Sequence, residues 1–142
     1  MLSTACRDAI RAMIYIAKNN KKDNFISINE IAKELGLSFY FLSKILQKLV
    51  KSDLLKSYRG PNGGVKLAKP AEDIRLMDII EIIDGTKFFN ECILGLEDCS
   101  DDNPCPIHYM WAERREEIQK MFENTTLKNI VEDIEKLQCI KL

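Results

Sequence analysis

Apolar residues recur at helical spacing near the beginning of the chain. Positions three and four apart share one face of a helix, and four apolar residues follow that spacing: Ile10, Met13, Ile14 and Ala17. The pattern predicts a first helix from about Ser3 to Asn19. The polar stretch over 19–24 that follows it predicts a loop.

Two short helices joined by a turn are predicted next. Ser27 and Glu30 have the S-x-x-E spacing of a capping box, which begins a helix. Gly36 lies where a helix ends in a left-handed residue, and Ser38 is the next N-cap. Each helix has its own apolar face, the first with Ile28, Ile31, Ala32 and Leu35, the second with Leu42, Ile45, Leu46 and Leu49. This arrangement is typical of a helix-turn-helix.

The opposite face of the second helix is polar. It carries Tyr40, Ser43, Lys44, Gln47, Lys48 and Lys51. Lysines suit phosphates, whereas serine, glutamine and tyrosine side chains reach base edges or sugars. A solvated helix face has the same composition, so this pattern indicates DNA binding only together with its context.

A β-hairpin is predicted after the second helix. Extended runs over 54–58 and 65–68 flank a tip that tolerates positive φ angles, Arg59-Gly60-Pro61-Asn62-Gly63-Gly64. A helix-turn-helix followed by such a hairpin predicts a winged helix. Because a narrow minor groove attracts an inserted arginine, Arg59 is the predicted wing contact, with a surface arginine at a turn as the alternative. The predicted DNA-binding residues are Ser38, Tyr40, Ser43, Lys44, Gln47, Lys48, Arg59 and Gly60.

Three further helices are predicted in the second half. One ends at Gly85 and has a single apolar face of Leu76, Ile79, Ile80 and Ile83. After an irregular segment over 86–106, a long helix runs from about Pro106 to Glu123. Thr125 or Thr126 caps the last helix, which is lined by Leu127, Ile130, Val131, Ile134 and Leu137. A long helix beyond a small winged-helix core cannot bury all its apolar surface within one chain, so we expect a homodimer that reads a palindromic site.

The composition is that of one globular domain. The chain has 142 residues, 46% of them apolar and 30% charged. No apolar run approaches the ~20 residues that cross a bilayer, and the first residues lack the order of a secretory signal. A cytoplasmic protein without a membrane partner is therefore expected. In that compartment cysteines serve as metal ligands, redox groups or inert thiols more often than as disulfides.

Charge is divided unevenly along the chain. Residues 1–70 hold 13 basic and 5 acidic side chains, a net charge of +8, whereas residues 71–142 hold 8 basic and 17 acidic side chains, a net charge of −9. A basic first half indicates a surface that binds a polyanion. We expect a DNA-binding region over 1–70 and a loop with dimerisation helices over 71–142, within a single compact domain.

Three of the five cysteines form a candidate metal site. Cys92, Cys99 and Cys105 have C-x6-C-x5-C spacing, and His108, the one histidine, follows closely. Three thiols and an imidazole can supply four ligands, but the spacing is typical neither of zinc sites nor of ferredoxins. Zinc, an iron–sulfur cluster, and inert or redox-active thiols all remain open on spacing alone.

The surroundings of these cysteines add further expectations. Pro106 suits the first position of a helix, which would put Cys105 at a helix N-terminus that stabilises a thiolate. Cys6 and Cys139 lie near the chain ends and are expected to be bystanders. Cys6 and Asp8 stay open as ligands contributed by the partner chain.

Several stretches together resemble a known family. They are Leu2-Ser3-Thr4, the segment 9–12, Ile28-x-Glu30-Ile31-Ala32, the wing over 59–67 and the three-cysteine loop. In this order they are similar to the small bacterial winged-helix regulators of the IscR and NsrR type, across essentially the whole chain. The resemblance implies a homodimeric regulator whose DNA binding depends on an iron–sulfur cluster.

The same resemblance implies roles for individual residues. Cys92, Cys99 and Cys105 would be the cluster ligands, and His108 matches the histidine ligand of members that hold a 2Fe–2S cluster. Members with a 4Fe–4S cluster use an acidic residue of the partner chain, to which Asp8 is close but one residue out of step. The sequence also departs from the IscR pattern. Its first cysteine gap has six residues instead of five, which bears on the cluster type, and Ser43 replaces a glutamate that discriminates between DNA sites.

The sequence therefore predicts a mainly α-helical winged helix-turn-helix with a small β-hairpin wing and a long C-terminal dimerisation helix. It predicts a dimeric regulator of transcription that binds double-stranded DNA and holds an iron–sulfur cluster, 2Fe–2S in preference to 4Fe–4S. A zinc-stabilised or a metal-free thiol-redox regulator is the alternative. No nucleotide loop, paired catalytic carboxylates or nucleophile with a base stands in the sequence, so neither an enzyme nor a small-molecule substrate is expected.

Overall fold

A computed structural model describes residues 1–20, 23–97 and 100–137. Within these ranges the chain forms six α-helices and one two-stranded antiparallel sheet. The helices are α1 (Thr4–Lys18), α2 (Ile28–Leu35), α3 (Phe39–Lys51), α4 (Leu76–Ile83), α5 (His108–Asn124) and α6 (Leu127–Leu137), and the strands are β1 (Leu55–Tyr58) and β2 (Gly64–Leu67). Short 3₁₀ turns lie at Ala71–Asp73 and Lys87–Phe89. The predicted winged helix is confirmed.

Helix α1 lies in the middle of the fold. It contacts α2, α3, α4, α6 and strand β2, and seven of its residues are buried: Cys6, Asp8, Ala9, Ala12, Met13, Ile14 and Ile16. The Ser3 hydroxyl caps its first turn by accepting a hydrogen bond from the Cys6 N–H at 3.0 Å. The Ser3 N–H and hydroxyl in turn donate to the Asp84 carboxylate, which follows α4. The start of α1 is thereby fixed to the end of α4.

The helix-turn-helix is built from α2 and α3, as predicted. Gly36 ends α2 with φ 65°, a left-handed conformation that glycine adopts without steric cost. Ser38 caps α3 by accepting a hydrogen bond from the Phe41 N–H at 3.3 Å. Four residues of α3 are buried against the core: Leu42, Ile45, Leu46 and Leu49.

The predicted capping box at the start of α2 is wrong. In the described part of the chain, the Ser27 side chain makes no cap hydrogen bond. The Glu30 carboxylate accepts a hydrogen bond from the Tyr15 hydroxyl at 2.9 Å instead, which ties α2 to α1. A tertiary partner has therefore taken the carboxylate that a local cap would use.

The wing is an antiparallel hairpin with an additional backbone partner. Leu55 faces Leu67 and Tyr58 faces Gly64 across the two strands. Ile26 pairs with the other edge of β2, since its N–H donates to the Val65 carbonyl at 2.8 Å and its carbonyl accepts from the Val65 N–H at 2.9 Å. This contact brings the two backbones close at Gly64. A Cβ atom there would lie 2.0 Å from the Ile26 carbonyl oxygen.

Helix α6 returns to the core beside α1. Its entry is fixed by two backbone hydrogen bonds of 2.9 Å, from the Leu127 N–H to the Ile74 carbonyl and from the Leu76 N–H to the Thr125 carbonyl. Of the two predicted caps, Thr126 is the one used, because its hydroxyl accepts a hydrogen bond from the Asn129 N–H. Leu127 and Ile134 are buried in the main core.

Helix α5 starts later than predicted. Pro106 lies in a turn that the His108 N–H closes by donating to the Cys105 carbonyl at 3.0 Å, and the first helical residue is His108. Cys105 thus lies before the helix, and the predicted stabilisation of its thiolate by a helix N-terminus loses its basis. None of the 17 residues of α5 is buried. Across the described ranges, no helix combines the length and the apolar character needed to cross a bilayer.

The close approach at Gly64 gives a test of the fold. We expect Gly64→Ala to lower the free energy of unfolding by ~1–3 kcal/mol, because the added methyl group must push Ile26 and β2 apart. Urea denaturation followed by circular dichroism measures the change. Asn62→Ala, at the exposed tip of the same hairpin, is the control and should leave the free energy of unfolding unchanged. Equal stability of the two variants would contradict the pairing of Ile26 with β2.

Candidate functional site

One face of α3 is polar and open to solvent. Lys44, Gln47 and Lys48 are exposed there, opposite the buried stripe of the same helix. The Lys44 ammonium lies 4.4 Å from the centre of the Tyr40 ring, a cation–π contact, and Tyr40 itself is 69% exposed. This face offers both positive charge and a polar aromatic group to a ligand.

Ser43 lies at the edge of that face, four residues before the exposed Gln47 and three before the buried Leu46. The residue is half-buried. Its hydroxyl oxygen is buried, and among the described residues it has no hydrogen-bond partner.

Two aromatic residues at the start of α3 were not predicted as site residues from the sequence. Phe39 is 50% exposed and Phe41 is 39% exposed, and both adjoin Tyr40. The available signal was a run of three aromatic residues directly after the N-cap Ser38. The first turn of a recognition helix is the part that contacts base edges, where apolar groups meet thymine methyl groups.

The tip of the wing presents Arg59 to solvent. Arg59 and Gly60 are exposed, and Gly60 has φ 145°, which lets the chain turn at the tip. The Tyr58 ring, at the tip end of β1, packs against Phe25, with ring centres 5.6 Å apart. The Lys66 ammonium pairs with the Asp23 carboxylate at 3.3 Å. Arg59 is therefore an exposed cation next to a residue that packs against Phe25.

The cysteine loop lies between α4 and α5. Cys92 and Cys105 are half-buried, whereas Cys99 and Cys139 lie outside the described residues. Over the ranges that the structure describes, no three Cys, His, Asp or Glu side chains converge on one point that could hold a metal ion. Of the predicted ligands, the described Cys92, Cys105 and His108 do not form such a group by themselves, although two half-buried thiols and an imidazole are chemically suited to iron.

His108 lies at the first position of α5 and lines an open cleft. The cleft has a volume of about 510 Å³ and is lined by Phe89, Ser100, Asp101, His108, Ala112, Arg115, Glu116 and Gln119. The His108 side chain is 12% exposed, and its Nε2 lies 2.9 Å from the Asp101 carboxylate. Histidine ligands of metals commonly have their second ring nitrogen bonded to a carboxylate in this way. The surroundings of His108 therefore fit a ligand role.

Cys6 and Asp8, the alternative ligands, are packed inside the protomer. Cys6 is fully buried beside Met77 and Phe89. Burial, with a smaller contribution from the nearby Asp84 carboxylate, raises the pKa of its thiol to about 12. The Asp8 carboxylate lies 3.0 Å from the Arg11 guanidinium, which also donates to the Leu35 carbonyl. Both side chains thus stabilise the packing around α1.

Comparisons with known proteins agree over most of the chain. Residues 2–133 match the model of the Rrf2 family, described as an iron-dependent transcriptional regulator. An HTH-type transcriptional regulator of Aquifex aeolicus is 36% identical over 138 residues, which cover 96% of this chain and 94% of the relative.

Solved structures show the same fold. CymR, the global cysteine regulator of B. subtilis, has a TM-score of 0.80 and 27% identity, with 93% of this chain and 96% of that chain covered. IscR of T. potens has a TM-score of 0.77 and 26% identity, with 100% of this chain and 93% of that chain covered.

The different surroundings of the cysteines predict different reactivity. Thiolates are the reactive form of cysteine. Cys6 is fully buried and its thiol pKa is raised, so it should not react with iodoacetamide at pH 8 in the folded, metal-free protein. Cys92 and Cys105 should be alkylated. Peptide mass spectrometry measures each site, and the same reaction in 8 M urea is the control, in which Cys6 should react as well. Rapid alkylation of Cys6 in the folded protein would contradict its placement.

Proposed function

Since the chain belongs to the Rrf2 family of transcriptional regulators, we propose that it is a homodimeric DNA-binding regulator controlled by an iron–sulfur cluster. The relatives regulate transcription and are not enzymes, and regulators of this family bind DNA. The observation that carries the proposal is the loop with Cys92 and Cys105, which directly precedes α5 in a winged-helix chain.

We assign DNA recognition to α3 and the wing. The exposed side chains of Tyr40, Lys44, Gln47 and Lys48 enter the major groove, with the lysines on phosphates and the other two at base edges. The Ser38 side chain holds the first turn of α3 in shape. Arg59 enters the adjacent minor groove, and Gly60 permits the turn that presents it. Ser43, at the edge of the same face, is a further proposed contact to base edges or sugars.

We propose that a second copy of the chain covers α5. A 17-residue helix without a single buried residue is unusual in a folded domain. Met110 and Met121 are 69% and 55% exposed, and they lie eleven residues, three helical turns, apart on one face. A two-fold dimer through this face sets the spacing of two copies of α3, which accounts for a palindromic operator.

The proposed cluster ligands are Cys92, Cys99, Cys105 and His108. The cluster supplies a redox-active and oxygen-sensitive group, through which the protein responds to redox state, nitric oxide or iron–sulfur supply. These residues would hold it near the start of α5, where His108 lies against Asp101. A 2Fe–2S cluster is favoured over a 4Fe–4S cluster, because Asp8 and Cys6 are engaged in packing.

A second candidate is a regulator that works through thiols without a metal, or with structural zinc. The likeness to CymR, named a global cysteine regulator, favours it. In that case Cys92, Cys99 and Cys105 would respond by reversible oxidation, and the protein would be colourless.

Metal analysis under exclusion of oxygen tests the proposal. We expect protein purified without oxygen to be brown and to contain iron and acid-labile sulfide, with two irons per chain for a 2Fe–2S cluster. Cys92→Ala/Cys99→Ala should abolish both, whereas Cys6→Ala should retain them. A colourless protein with one zinc per chain, or one that fails reconstitution with iron and sulfide, would refute the cluster.

Cluster occupancy should also change the affinity for DNA. Selection from random double-stranded DNA supplies the operator, and fluorescence anisotropy gives Kd for the cluster-loaded and cluster-free protein. An allosteric coupling of ~1–3 kcal/mol corresponds to a change of roughly 5- to 150-fold. Equal Kd values for the two forms would leave a cluster without a regulatory role.

The proposed wing contact predicts a loss of specific binding. Arg59→Ala should weaken operator binding by ~1–3 kcal/mol, because the guanidinium is the wing's exposed cation at the tip. Anisotropy titrations on the selected operator measure the effect. Lys136→Ala is the control, because it removes one positive charge at an exposed position of α6. Equal losses of affinity in both variants would indicate a general charge effect in place of a groove contact.

A further inference from the structure

Two side chains of α5 converge on one carbonyl of the cysteine loop. The Trp111 indole Nε1–H donates to the Glu91 carbonyl oxygen at 3.1 Å, and the Arg115 guanidinium donates to the same oxygen at 3.1 Å. A carbonyl oxygen has two lone pairs, and these two hydrogen bonds occupy both. This double contact fixes the backbone at Glu91 to the surface of α5.

The position of this contact gives it a consequence for the loop. Glu91 is followed directly by Cys92, whose Cα is one peptide step of about 3.8 Å away. The Trp111 ring also packs edge-on against Phe88, with centres 5.7 Å apart. The chain is thus held at two points, Phe88 and Glu91, directly before the first cysteine.

The same face of α5 connects the contact to His108. His108, Trp111 and Arg115 follow each other at intervals of three and four residues, which places them in one row along the helix. Arg115 also lines the cleft that contains His108 and Asp101. The positions of Cys92 and His108 are therefore both fixed relative to α5, although the two residues are 16 apart in the sequence.

We propose that Trp111 and Arg115 are positioning residues for the cluster: through the Glu91 carbonyl they hold Cys92 in register with His108 on α5. This inference rests on the proposed function, since it requires that the loop binds a cluster.

The test removes the two donors while it keeps the packing. Trp111→Phe retains an aromatic ring against Phe88 but loses the N–H, and Arg115→Met retains the aliphatic length without the guanidinium. Arg114→Met is the matched control, because it removes the same charge from α5. The Arg114 guanidinium donates to the Glu117 carboxylate at 2.9 Å and not to the loop. Arg115→Lys, which keeps one cation and donor, is the conservative variant.

Each variant is reconstituted with iron and sulfide, and the loss of visible absorbance is followed in excess EDTA without oxygen. Because groups that orient metal ligands commonly contribute 10- to 100-fold in metal affinity, we expect the Trp111→Phe/Arg115→Met variant to lose its cluster roughly 10-fold faster or more. Arg114→Met should lose its cluster at the wild-type rate. As single variants, Arg115→Lys should lose its cluster more slowly than Arg115→Met. Thermal unfolding of the cluster-free variants separates positioning from a general loss of stability.

The outcomes are distinct. If the wild type holds a cluster and the double variant releases it at the wild-type rate, the positioning role is refuted while the proposed function stands. If the double variant does not fold, the rate of cluster release is measured on the single Trp111→Phe variant. We expect that rate to lie between those of the wild type and a roughly tenfold faster release. A wild-type rate would contradict the positioning role. A wild type that takes up no cluster refutes both proposals together.

Discussion

Helix α1 is surrounded on nearly every side, because α2, α3, α4, α6 and β2 all pack against it. Its small residues Ala9 and Ala12 are fully buried and let the neighbouring helices approach closely. Close packing of this kind transmits displacement because interiors have low compressibility. The orientation of the recognition helix and the position of α4 are thus both set by α1. Helix α4, which contacts both α5 and α3, shares this packing and links the side of the cysteine loop to the DNA-binding helix.

Local patterns in the sequence predicted the helices, the turn at Gly36 and the hairpin, because periodicity and caps act within a few residues. What they did not predict depends on residues distant in sequence. Glu30 serves Tyr15 instead of a capping box, and Ile26 forms a third backbone partner for the wing. The inward turn of the Ser43 hydroxyl depends on packing at the edge of a buried stripe, which a helical projection alone does not resolve.

The candidate site was predicted unevenly for the same reason. Lysines and glutamine on α3 were found because a polar face is a periodic signal, whereas the exposed Phe39 was missed because apolar residues are taken as core. The cysteines and His108 were predicted as ligands from their chemistry. The hydrogen bonds to the Glu91 carbonyl were beyond prediction, since Trp111 and Arg115 stand 20 and 24 residues from it.

The return of α6 to α1 has a consequence for how the protein folds. Leu127 and Ile134 complete the core that α1 begins, although more than 100 residues separate the two helices along the chain. Contacts of such long sequence separation form slowly, so the apolar side of α1 stays open to water and to other chains until α6 docks. The stretch from 74 to 76, which receives the entry of α6, therefore closes the core late in folding. A chain from which α6 has detached should be aggregation-prone and open to proteolysis.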